Sequence, residues 1–147
     1  CAVVQSLENE LMKVAHEQEE EVLGLESIEE QLNVFDEIPY EDQVKDLLES
    51  AKNNLVDEKA DFQELLNLYK LKDLNAMLKL MDKDDNLTTS KHSDKLLVNR
   101  NKNWISKMEE FTKGQPTFFG VGAAHLPGEN GVINLLRKKG YIVKAVL

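Results

Sequence analysis

Between Ser27 and Lys113, apolar residues recur at three- and four-residue steps almost without a break, a spacing that commits the stretch to amphipathic helices. Leu32 and Phe35 form one inward face. Val44, Leu47, Leu48 and Ala51 form the next, followed by Phe62, Leu65, Leu66 and Tyr69, then Leu74, Met77, Leu78 and Met81. Ser27 and Glu30 have the spacing of a capping box, in which hydroxyl and carboxylate each satisfy an orphan backbone donor. Pro39 suits a helix start, because its missing N–H costs nothing there. Asp82-Lys83-Asp84-Asp85-Asn86 is a polar break, and a further helix runs from Ser93 through Trp104 to Phe111. Upstream, Leu7, Leu11, Val14 and Ala15 mark one more helical face.

Outside that block the text changes character. Val22-Leu23-Gly24-Leu25 is a short apolar run and reads as a buried strand, near 21–25. Gly114-Gln115-Pro116 is a turn, and the segment near 117–121 reads as a second buried strand. Val132, Ile133, Leu135 and Leu136 mark a short helix, with Lys138 and Lys139 favourable at its negative end. Gly140 stops it, and 141–146 reads as a third strand. Strand, helix and strand within 114–147 predict a βαβ unit with a right-handed crossover. The expected architecture is one α/β domain over 1–147: a small, mainly parallel sheet with a large helical insertion at 28–113.

Composition narrows the function classes. The chain carries 27 Asp and Glu against 18 Lys and Arg, a net charge of −9, which disfavours nucleic acid as a partner. No apolar run is long enough to span a membrane. The lone cysteine excludes an internal disulfide. The chain begins Cys1-Ala2-Val3-Val4 with no Met, and we expect a piece cut from a longer protein, with lipoprotein maturation as the alternative.

In open α/β sheets, ligands collect beyond the carboxyl ends of the strands. Glu26 follows the first expected strand directly, and His125 lies a few residues after the second. If those strands run parallel, both side chains emerge at one sheet edge, where a carboxylate and an imidazole can bind a divalent metal or relay protons. Gly122, Ala123 and Ala124 would let a ligand approach the backbone closely. The plainer alternatives are a cap or salt bridge for Glu26 and a polar loop residue for His125. Arg100 offers a forked donor set that could hold Glu26 or a substrate carboxylate; the alternative is a surface arginine. Trp104, four residues on, shares that helical face and reads as a core anchor.

Three segments together resemble the TraB/GumN family, which also includes the Tiki proteases: Gly24-Leu25-Glu26-Ser27, Arg100-Asn101-Lys102-Asn103-Trp104, and Gly122-Ala123-Ala124-His125-Leu126-Pro127-Gly128-Glu129-Asn130-Gly131-Val132. The resemblance spans nearly the whole chain. It implies an α/β fold related to the haem-uptake ChaN and erythromycin esterase proteins, and a hydrolase-like site built from two GxxH motifs and acidic residues. It further implies a manganese- or cobalt-dependent hydrolase of peptidase type acting on a peptide or protein. The expected catalytic residues are then Glu26, His125 and Arg100. Glu26 and His125 would be metal ligands, and Gly24 and Gly122 would support their loops. Relatives of this kind are often exported, which implies an extracytoplasmic, periplasmic or membrane-attached location. The first GxxH is missing: neither His16 nor His92 has a glycine three residues before it. The expectation is therefore a C-terminal portion holding about half a site, inactive by itself, whose unpaired strand edges favour self-association.

Several motifs fail. Gly120-Val121-Gly122-Ala123-Ala124-His125 begins like a dinucleotide fingerprint, but His125 replaces the third glycine. A calcium loop starting at Asp82 would need Gly and Glu where Leu87 and Ser93 stand. His92-Ser93-Asp94 are adjacent on a helix and cannot face one another as a triad. The competing class is a non-enzymatic module whose acidic helices between Ile28 and Lys113 bind a peptide or regulatory partner.

Overall fold

Local chemistry starts most of the helices where the sequence places them. A computed structural model describes residues 5–52, 56–83 and 88–146. Helix α1 spans Leu7–Glu17, with Ser6 accepting from the Asn9 amide at 3.4 Å. Helix α2 spans Ile28–Asp36 and carries the complete capping box: Ser27 Oγ accepts from Glu30 N at 3.0 Å, and the Glu30 carboxylate accepts from Ser27 N at 2.7 Å. Helix α3, Tyr40–Lys52, begins just after Pro39, whose carbonyl accepts from Asp42 and Gln43. Helices α4 (Val56–Lys70) and α5 (Leu74–Met81) form a hairpin; Lys72 turns through φ 59°, and Asp73 caps α5 through the Ala76 amide.

Short helix α6 (Thr88–Lys91) leads into a π-helical turn, Asp94–Asn99, and then helix α7, Arg100–Phe111. A single 3₁₀ turn, Ala123–His125, precedes helix α8, Val132–Lys138, which Gly140 ends at φ 93° as expected. Asp42 ties α3 to α6 and the residue after it, accepting from Lys91 at 2.6 Å and pairing with His92 at 2.9 Å. His92 is thus engaged with Asp42, not with its sequence neighbours.

The α/β expectation is overturned: the described residues contain helices and no strand. The segments near 21–25, 117–121 and 141–146 hold no regular secondary structure, and no backbone hydrogen bond among the described residues joins them into a ladder. A strand exists only as a member of such a ladder. The βαβ unit fails for the same reason, leaving only α8 of the expected strand-helix-strand. Burial confirms the correction. Phe118 is 78% exposed, Ile142 86% and Val146 96%, so these runs are not sheet interior. The 117–121 segment still behaves as half of an expectation: Phe119 and Val121 pack on the core while Phe118 and Gly120 face out. That two-residue alternation is the period of a strand, and it stands here without a paired neighbour among the described residues.

The core is small. Trp104, Ile105 and Met108 of α7 meet Val132 of α8, with Leu25, Phe119, Val121, Leu126, Leu135 and Leu136 packed around them. Each such side chain contributes roughly 1.5–3 kcal/mol on full burial. Met77 is buried, as its stripe suggests, and α5 lies against the 3₁₀ turn that carries His125. By contrast Leu32, Phe35, Val44, Leu47 and Leu48 stay exposed, which corrects the inward faces expected for α2 and α3. Cys1 and the stretch Asp84–Leu87 of the failed calcium loop lie outside the described residues.

Candidate functional site

The helical period of α7 sets the site. Arg100, Asn101 and Trp104 fall at zero, one and four residues along it and so share one side. Arg100 is the first residue after the π-helical turn, and its Nη1 donates back to the Leu96 carbonyl at 2.9 Å. π-helical turns concentrate at functional sites, where they re-aim side chains. Glu26 reaches the same place from the bend before α2. Gly24 permits that bend: a Cβ there would sit 2.8 Å from the Glu26 carbonyl oxygen, a distance that forces the backbone to shift. Gly122 is different. Its φ is an ordinary −59°, and an added Cβ would lie 3.6 Å from His125 Cδ2, in normal contact.

Arg100 grips Glu26 with a two-pronged pair, Nε to Oε2 at 3.1 Å and Nη2 to Oε1 at 2.5 Å. The Trp104 indole Nε1 donates to the same Oε2 at 3.1 Å, and the Arg100 guanidinium lies 5.1 Å from the indole centre. On its other side the Trp104 ring tilts against His125, with centroids 4.4 Å apart. His125 is 7% exposed, and its Nδ1 meets Asn101 Oδ1 at 2.7 Å. Asn101 Nδ2 donates to the carbonyls of Asn130, at 2.9 Å, and His125, at 3.3 Å.

The charges follow from these contacts. Burial pushes the Glu26 carboxyl up, but the Arg100 hydrogen bonds and charge, with the Trp104 donor, outweigh it and hold the group below the usual carboxylate value. For His125, burial is the largest cause, the nearby Arg100 charge acts in the same direction, and Glu26 opposes both. The imidazole is lowered to about 4 and is neutral at neutral pH.

Glu26, Arg100 and His125, predicted from distant parts of the sequence, therefore meet around one indole. Trp104 is the core anchor that its stripe suggests, at 5% exposure, and it is also a donor to Glu26. Asn101 is a site residue that the sequence reading leaves without a role, although it stands inside the Arg100–Trp104 segment. Its position three residues before Trp104, on the same face, is the signal that marks it.

A manganese or cobalt ion can be tested against the donor set. Glu26 already accepts three hydrogen bonds, and no group of three or more His, Cys, Asp or Glu among the described residues could hold a metal. Glu26 and His125 together fall short of the three protein ligands typical of a catalytic metal. Among the described residues, then, Glu26 and His125 do not complete such a site.

Two clefts lie beside the His125 loop. One, of ≈ 520 Å³, is walled by Lys72 and Asp73 with the start of α5, by Leu126–Glu129 and by α8. The other, of ≈ 450 Å³, is lined by Tyr69, Leu74, Val121, Ala123 and Leu126 among others. Glu26, Arg100 and His125 line neither.

Fold and site together define a helical protein, over its described residues, with a guanidinium–carboxylate pair and a neutral imidazole joined through one tryptophan. The model of the TraB/PrgY/gumN family matches residues 2–145, and the chain belongs to that family. No curated protein matches it, and no solved structure does. None of its described helices is long and apolar enough to cross a membrane.

Proposed function

We propose that this chain carries one wall of a hydrolytic site of peptidase type, acting on a peptide or protein outside the cytoplasm. The observation that supports it most is the convergence of Glu26, Arg100 and His125 on Trp104. In this reading His125, neutral at neutral pH, presents an imidazole lone pair to the attacking water or to a substrate donor. Glu26 orients Arg100, and the unused part of the guanidinium fork faces negative charge as it develops on a carbonyl oxygen. The first GxxH is absent from this sequence, and we propose that the wall is inactive by itself.

The test is hydrolysis of a peptide panel by the longest natural form of the protein, with and without manganese or cobalt. The His125→Ala variant is expected to lose turnover and Arg100→Lys to lose most of it. Full turnover in His125→Ala overturns the reading. The exposed apolar residues of α3, with two clefts that avoid the cluster, favour a second reading as a peptide-binding module. Peptide binding that is unchanged in His125→Ala, with no hydrolysis in any form, would establish it instead.

A further inference from the structure

We infer that Asn101 is a positioning residue: it fixes the His125 imidazole as the Nδ1–H tautomer and leaves Nε2 as its lone-pair donor. The inference deepens the hydrolytic reading, because it names the atom through which His125 would act.

The amide of Asn101 sets the orientation. Two carbonyl oxygens, those of Asn130 and His125, lie within hydrogen-bond reach of Asn101 Nδ2, at 2.9 and 3.3 Å. Carbonyls only accept, so the NH2 end of the amide must face them; the flipped orientation would set oxygen against oxygen twice. The amide oxygen is thereby turned toward the imidazole, where it meets Nδ1 at 2.7 Å. An amide oxygen also only accepts, so Nδ1 must carry the proton. A neutral imidazole has one N–H, and Nε2 is left with its lone pair.

The surroundings keep this arrangement in place. Asn101 is 2% exposed, so water competes weakly for its bonds. It holds the main chain and the side chain of the same residue, His125, and the Trp104 ring, inclined at 43° against the imidazole with centroids 4.4 Å apart, restricts its rotation. The charged groups facing the ring are Arg100 and Glu26, and they are bonded to each other. Nε2 has no hydrogen-bond partner among the described residues. The neighbouring position is Gly122, with no side chain to cover the Cδ2 edge next to Nε2. A carboxylate or carbonyl behind a histidine commonly sets the working nitrogen in the same way.

Nitrogen-15 NMR of the labelled protein at neutral pH reads the tautomer directly. For His125 the wild type should show a protonated, pyrrole-like Nδ1 and an unprotonated, pyridine-like Nε2. The reverse pattern, or an average of both tautomers, overturns the inference in a single spectrum, whatever any variant does. Asn101→Asp keeps an acceptor beside Nδ1 and should keep the tautomer even where stability falls. A folded Asn101→Ala should lose it and give a mixture; retention of pure Nδ1–H there also overturns the inference. The readout is independent of turnover, so failure of the hydrolytic reading and failure of this one are distinguishable.

Discussion

At the scale of single residues, the ion pair of Glu26 and Arg100 is the contact whose loss should be felt most. Both side chains are 17% exposed, and Arg100 would be left with a charge and no counter-ion. Glu26→Gln is expected to lower unfolding free energy by about 2 kcal/mol, measured by urea denaturation. No change in the urea midpoint would show that water replaces the carboxylate at no cost. Acid has a defined direction as well. The His125 pKa is depressed from its usual 6.5 to about 4, so the unfolded chain binds more protons between those values. Its contribution to stability is complete above pH 6.5 and is lost as pH falls toward 4, up to about 3 kcal/mol. His125→Gln should therefore lose less stability than the wild type between pH 7 and 4; equal losses contradict the depressed pKa. Glu26 and His125 were legible in the sequence because each follows an apolar run and stands in a segment of the family resemblance, although the sheet edge expected to unite them is absent among the described residues and Trp104 unites them instead. Asn101 was not, because its importance comes from what its two amide atoms face, which spacing alone does not encode.

At the scale of elements, glycine separates two superficially similar loop positions. A Cβ at Gly131 would overlap the carbonyls of Pro127 and Leu126, in the turn that starts α8. One at Gly122 meets only ordinary contact. Gly131→Ala should cost about 2–3 kcal/mol and Gly122→Ala under about 1 kcal/mol, both read from thermal or urea unfolding. Equal costs would mean that the Pro127–Gly131 turn opens without penalty. Helix starts were readable because caps are local chemistry: Ser27 with Glu30 forms the box that its spacing implies. Pairing of strand-like segments is not local, and the expected sheet is absent among the described residues. Phe119 and Val121 alternate with Phe118 and Gly120 as a strand would, yet nothing in a lone sequence reports whether another backbone lies alongside. The π-helical turn before Arg100 was also invisible, since its apolar spacing is indistinguishable from that of the α-helix continuing it.

For the whole molecule, the packed centre is the crossing of α7 and α8, and it coincides with the cluster. Trp104 belongs to both: its ring anchors the core, its Nε1 holds Glu26, and its face meets His125. Stability and site geometry are thus coupled through one side chain, and the helical stripes of α2 and α3 contribute little to that centre. This explains why periodicity located the helices correctly but assigned Leu32, Phe35 and Leu47 to an interior they do not reach. Glu26, Arg100 and His125, far apart along the chain, close around this indole. Because Trp104 is the only tryptophan, the test is unambiguous in proton NMR of the native protein. Cross-relaxation is expected between the Trp104 indole and the His125 imidazole, together with an indole N–H resonance that shifts in Glu26→Gln. A folded protein without that cross-relaxation, whose indole N–H is indifferent to Glu26→Gln, would contradict the account.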